Sequence, residues 1–135
     1  MVGILLMSHG DLSQGVISSY KTIIGEPEKI EVLTLHIEDN TDEFEQKMIS
    51  KIDELDDGDG VLVMVDLLGG TPCNKSAMQL RDKNIEVLTG LNFPMLVCAY
   101  EKRLNGGNLQ EIKDYCLQGS KDGIVSLREH FHLDK

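Results

Sequence analysis

The sequence predicts an α/β fold: a three-layer sandwich of four parallel strands in the order 2-1-3-4, with helices on both faces. Three observations carry that prediction. Val61-Leu-Val-Met-Val65 and Val2-Gly-Ile-Leu-Leu-Met7 are unbroken apolar runs, as found in strands covered on both faces. Segments with apolar residues at helical spacing separate such runs, so strand and helix alternate four times. Right-handed crossovers then favour a sheet whose direction of winding reverses between the first and third strands.

The elements follow in order. After the first strand, Leu12, Val16, Ile17, Tyr20, Ile23 and Ile24 recur at helical spacing until Gly25 and Pro27 stop the helix. Ile30–Leu35 is the second strand. Asn40 opens a second helix, with Glu43 completing a capping box and Phe44, Met48, Ile49, Ile52 and Leu55 forming its apolar face. The polar turn Asp56–Gly60 leads into the third strand. Thr71 caps a third helix, with Pro72 at its first position and its end near Asp82. Ile85–Leu88 is the fourth strand. Pro94 starts a helix whose stretch Met95–Tyr100 is apolar nearly all round. Asn108 and Glu111 repeat the capping-box pattern for a last long helix, which Gly119 ends. Gly123–Leu127 reads as a final short strand, and Arg128–Lys135 as a poorly ordered polar tail.

The 135 residues suffice for one domain with a real core, taken here as 1–135. The formal net charge of −10 disfavours nucleic acid and anionic membrane as partners and favours a basic protein. No run approaches a membrane span and no leader opens the chain, which places the protein in the cytoplasm. The odd, scattered cysteines Cys73, Cys98 and Cys116 argue against a disulfide framework and against a zinc knuckle.

Function concentrates where the strands end. His9 lies just past the first strand and Asp66 just past the third, so the topology makes them neighbours across the switch-point crevice. A carboxylate on one ring nitrogen fixes the imidazole tautomer and leaves the other nitrogen as a nucleophile. Phosphorylation there adds roughly −1.5 to −2 charges, by analogy with other phosphorylated side chains. The glycine turn Gly69-Gly70 and the helix start at Thr71 offer backbone N–H groups and a hydroxyl to receive that charge. The candidate phosphate-binding positions are Gly69, Gly70 and Thr71 of this turn, together with Gly10 and Leu68, lining an electropositive notch. The chemistry demands no cofactor and no metal. Other residues read more plainly. Ser8 is a turn residue, His36 a loop residue, Asp53–Asp59 a solvated turn, and His130 with His132 part of a solvated end. Cys73, near a helix start, is a small core residue, with a thiol nucleophile as the alternative.

Ser8-His9-Gly10, Val65-Asp66 with Gly69-Gly70-Thr71-Pro72 and Asn74, and Gly90-Leu-Asn92-Phe-Pro94-Met95-Leu96 together resemble one family. It is the enzyme IIA component of the mannose/sorbose class of the bacterial sugar phosphotransferase system (PTS), and the likeness covers Val2 to Leu127. The resemblance implies that His9 accepts a phosphoryl group from the carrier protein HPr and passes it to a IIB component, with Asp66 holding the other imidazole nitrogen and Thr71 touching the phosphate. It implies a homodimer that exchanges a final antiparallel edge strand, matched in position by Gly123–Leu127, which would protect an exposed sheet edge. The end at Lys135 is read as a stand-alone IIA. Two other readings are a donor to a dihydroxyacetone kinase, against which Gly10 weighs, and a non-catalytic sensor of a phosphorylated metabolite.

Overall fold

The computed structural model describes residues 1–134; Lys135, the end of the expected polar tail, lies outside the described residues. The elements are β1 (Gly3–His9), α1 (Leu12–Ile23), β2 (Ile30–Leu35), α2 (Thr41–Leu55), β3 (Val61–Val65), α3 (Thr71–Ala77), β4 (Ile85–Leu88), α4 (Phe93–Leu104), α5 (Leu109–Asp122) and α6 (Leu127–His130). The four strands form one parallel sheet in the order β2-β1-β3-β4, as the sequence predicts.

The two central strands explain the unbroken apolar runs. Ile4, Leu6, Leu62 and Met64 point to one face, where they pack with Ile17 and Tyr20 of α1, Met95 and Leu96 of α4, and Ile112 and Cys116 of α5. Leu5, Met7, Val61, Val63 and Val65 point to the other, against Phe44, Met48, Ile52 and Leu55 of α2. A strand covered on both faces has no reason to alternate. The result is a three-layer sandwich whose strand carboxyl ends all open on one side.

Several helix ends differ from expectation, each for a local reason. Asn40 caps α2 by accepting from the N–H groups of Asp42 and Glu43, at 2.8 and 3.0 Å, without a return bond from the Glu43 side chain. At α5 both halves of the box form: Asn108 accepts from Glu111 N–H at 2.9 Å, and Glu111 accepts from Asn108 N–H at 3.0 Å. Helix α3 starts one residue earlier than predicted, with Gly70 as its cap, Thr71 as the first residue and Pro72 as the second. It ends at Ala77 rather than near Asp82, because the chain tightens into three-residue turns such as Leu80 N–H to Ala77 O. In α4, Met95, Leu96 and Ala99 are buried while Val97, Cys98 and Tyr100 are only half-buried, so one face rather than the whole helix is covered.

Gly119 does not end α5, which continues to Asp122. The glycine is there for packing: a Cβ at Gly119 would stand 2.3 Å from Cys98 Sγ on α4. Gly123–Leu127 is likewise not a strand in this chain. Gly123 N–H closes on Gly119 O at 3.0 Å and Ile124 N–H on Lys121 O at 3.2 Å, and Leu127 begins the short helix α6. A strand needs a sheet edge to pair with, and within the described residues this segment pairs with neither β2 nor β4. Ile124, Val125, Leu127, Phe131 and Leu133 are left exposed.

Candidate functional site

Parallel pairing places the ends of β1, β2 and β3 side by side. His9 is in register with Leu35, and Gly10 N–H continues the ladder to Leu35 O at 2.7 Å. On the other side, Leu91 N–H bonds Val65 O at 2.9 Å. That contact seats the loop after β4 beneath the residue preceding Asp66.

One carboxylate oxygen of Asp66 organises the centre. Its Oδ2 accepts from the His9 backbone N–H at 2.8 Å and lies 2.9 Å from His9 Nδ1. An ionised carboxylate only accepts, so Nδ1 carries the proton and Nε2 keeps its lone pair. Burial raises the Asp66 pKa, but the His9 N–H and the His9 imidazole outweigh it and hold the carboxyl below the usual carboxylate range. The Asp66 side chain is 12% exposed and that of His9 46%, so the fixed partner is inside and the imidazole outside. Asp66 Oδ1 is buried without a hydrogen bond, which leaves the carboxylate dependent on His9 for its compensation.

The depressed pKa has a consequence for stability in acid. Asp66 contributes stability that is complete above the unfolded pKa of about 3.9 and is lost as pH falls through the lower folded value. Melting temperatures of the wild type and Asp66→Asn are therefore expected to converge in that range. Curves that stay parallel down to about pH 2 would show that the His9 contacts do not favour the carboxylate.

The glycine turn closes on the ring. Gly69 has φ +87°, and Asn74 Nδ2 donates to its carbonyl at 3.1 Å. Gly70 abuts the imidazole, for a Cβ there would lie 2.6 Å from His9 Cε1 and 3.2 Å from Nε2. The N–H groups of Leu68, Gly69, Thr71 and Cys73 make no hydrogen bond among the described residues, and the Leu68 side chain is exposed. Gly10 turns the chain after the histidine with φ +59°.

A cleft of about 460 Å³ opens beside these groups, lined by His9, Gly10, Leu35, His36, Ile37, Glu38, Asp39, Thr41 and Thr71. The notch is not electropositive through its side chains. No lysine or arginine lines it, while Glu38 and Asp39 do. Favourable potential for an anion must come from backbone N–H groups and imidazoles.

The remaining sequence candidates separate cleanly. Ser8 is fully buried, and its Oγ accepts from Ser13 N–H at 2.8 Å, so it serves the start of α1 rather than a ligand. Cys73 packs against the core beneath α2 and does not line the cleft. His130 and His132 lie far along the chain at the exposed end, and no group of three or more His, Cys, Asp or Glu among the described residues could hold a metal. His36 is the residue that sequence reasoning missed. It follows β2 as His9 ends β1, and the same neighbour argument that joined His9 to Asp66 would have placed it in the crevice.

Comparison with known proteins bears on this arrangement. The model of the family described as the PTS system fructose IIA component, EIIA-man, matches residues 3–116. The chain belongs to this family. Over 128 residues this IIA chain is 26% identical to the PTS system mannose-specific EIIAB component of Escherichia coli K12, a match covering 94% of the chain and 40% of that relative. It thus spans well under half the length of that curated relative. Among solved structures, the phosphotransferase system component EIIA of Streptococcus agalactiae superposes with a TM-score of 0.87 at 30% identity, covering 96% of this chain and 99% of the other. The mannose/sorbose-specific IIA subunit of the Enterococcus faecalis phosphotransferase system gives 0.82 at 28%, covering 93% of each. No helix among the described residues is long and apolar enough to cross a membrane.

Proposed function

We propose that this IIA chain is a cytoplasmic phosphocarrier in sugar uptake, taking a phosphoryl group from phospho-HPr onto His9 Nε2 and giving it to a histidine of a IIB component. The observation that supports this best is the shared Asp66 oxygen, which fixes His9 with Nδ1 bonded inward and Nε2 free at the cleft. In the forward step the Nε2 lone pair forms a P–N bond as the P–N bond of the donor phosphohistidine breaks. The breaking pair returns to the donor ring. The His9 ring keeps its Nδ1 proton and becomes positive, which Asp66 offsets. Transfer to the acceptor reverses the sequence. Such a transfer needs positioning and charge stabilisation more than covalent chemistry from the protein. Leu68, Gly69 and Thr71 are proposed to receive the phosphoryl oxygens through free N–H groups and the Thr71 hydroxyl, while Gly10 and Gly70, whose N–H groups bond Leu35 O and Leu67 O, are proposed to shape the turns that flank the phosphoryl group.

The test is labelling from radioactive phosphoenolpyruvate with enzyme I and HPr, followed by peptide mapping. The expected result is one acid-labile, base-stable phosphate on the peptide carrying His9. No label, or label on another residue, ends the proposal.

We also propose that the chain works as a homodimer joined through its C-terminal segment. Ile124, Val125, Leu127, Phe131 and Leu133 are apolar and exposed in the single chain, a combination that marks an association surface. Sedimentation of the full chain is expected to give a dimer, and of residues 1–122 a monomer. A full chain that sediments as a monomer overturns this part.

A further inference from the structure

Resting on the reading of His9 as phosphoryl acceptor, we infer that His36 is a positioning residue for the transfer: an imidazolium that ties the turn after His9 to the loop after β2 and supplies the cleft's side-chain positive charge. Three observations carry this. First, Gly10 N–H bonds Leu35 O, so His36 stands next to the residue that follows the acceptor, and both imidazoles line one cleft. Second, His36 holds carboxylates at both ring nitrogens: Nε2 is 2.9 Å from Asp11 Oδ1 and Nδ1 is 3.6 Å from Asp39 Oδ2. Third, Asp11 occupies the cap position of α1, where an aspartate ordinarily bonds the helix N–H groups, yet its side chain makes no capping bond. Ser8 Oγ serves the Ser13 N–H instead. The Asp11 carboxylate is spent on His36.

The charges facing the ring are Asp11 from the turn after β1, and Glu38 and Asp39 from the loop after β2; the other imidazole is His9. With His36 protonated, one of the surrounding negative charges is cancelled. When it loses its proton, an incoming phosphoryl group meets Glu38 and Asp39 of the cleft lining, with Asp11 bonded to the far side of His36, and no cationic side chain among the lining residues. The hydrogen bond to Asp11 raises the His36 pKa, with burial acting the other way and the acidic neighbours adding to the rise. Loss of its help is therefore expected above the ordinary histidine value of about 6.5.

The experiment compares initial rates of His9 phosphorylation by phosphoramidate in the wild type, His36→Gln, His36→Lys and Asp11→Asn, from about pH 6 to about pH 9. Taking the ratio of two proteins at each pH removes the reagent's own titration. The wild type is expected to exceed His36→Gln roughly three- to tenfold near pH 6, the scale of one charge acting across a half-exposed cleft, and to approach it near pH 9. His36→Lys, a permanent cation, is expected to hold its rate where the wild type falls. Asp11→Asn is expected to move the fall to lower pH. A ratio that does not change with pH overturns the inference, because a merely structural role lowers the rate equally throughout. Failure of phosphoramidate to label the wild type overturns it too. Labelling of His9 with the expected pH dependence, but none from phospho-HPr, leaves the inference standing and removes the relay.

Discussion

Asp66→Ala is expected to lower phosphoryl transfer through His9 by up to about 10⁴-fold, the loss when the carboxylate that orients a reacting imidazole is removed. The side chain does two things at once. Its Oδ2 fixes Nδ1–H and so keeps the Nε2 lone pair free, and in the proposed transfer its charge would meet the positive ring formed on attack. Alanine removes both. Asparagine can still accept from Nδ1 but brings no charge, so Asp66→Asn is expected to fall between wild type and alanine. The fold should survive either change. The carboxylate's Oδ1 has no partner to lose, and the freed N–H belongs to His9, an exposed residue that water can reach. The expected loss of stability is about 1.5–3 kcal/mol, that of a hydrogen bond to a charged group. Transfer rates and melting curves on the same preparations check this. A variant that melts normally and transfers at the wild-type rate removes Asp66 from the mechanism.

The fold was legible in the sequence because the information was local and repeated. β1 and β3 each announce burial on both faces, and the crossover rule turns a list of strands into one order. That order was enough to bring His9 to Asp66 across 57 positions. What was missed depends on contacts that a one-dimensional pattern does not record. Gly119 looks like a helix end, yet it is the hollow that admits Cys98. Gly123–Leu127 has the composition of a strand, but composition cannot supply a pairing partner. His36 looks like a loop residue, until the structure shows it bonded to Asp11. Arg103 gave no sign that its guanidinium would bond the carbonyls of Val2 and Glu28, at 3.0 and 2.6 Å. The site was half visible for the same reason. The strand ends that frame it follow from topology, whereas the cleft's acidic lining depends on how the loop after β2 folds back.

The adjacent glycines of the turn should separate stability from function in opposite directions. Gly70 has φ −78° and ψ 171°, a conformation open to alanine, so its backbone gives no reason for a glycine. The reason is the ring: a methyl there would meet His9 Cε1 at 2.6 Å and Nε2 at 3.2 Å. The added carbon must either push the imidazole off Asp66 or cover Nε2. Gly70→Ala is therefore expected to cut His9 phosphorylation by at least about 10²-fold through lost positioning. Its melting temperature should change little, since the gain of about 0.4–1 kcal/mol from alanine at a φ, ψ open to it offsets part of what a displaced His9–Asp66 contact loses. Gly69 is the converse. Its φ of +87° is costly for alanine, but nothing lies within 4 Å of a Cβ. Gly69→Ala is expected to lose about 1–2 kcal/mol of stability and to keep most of its transfer rate at temperatures where it is folded. The pair is a sharper probe than either variant alone. Were the turn only a flexible connection, both substitutions would act through stability and the two would rank together. If the turn is instead the wall against which the phosphoryl acceptor is held, the more stable variant is the inactive one.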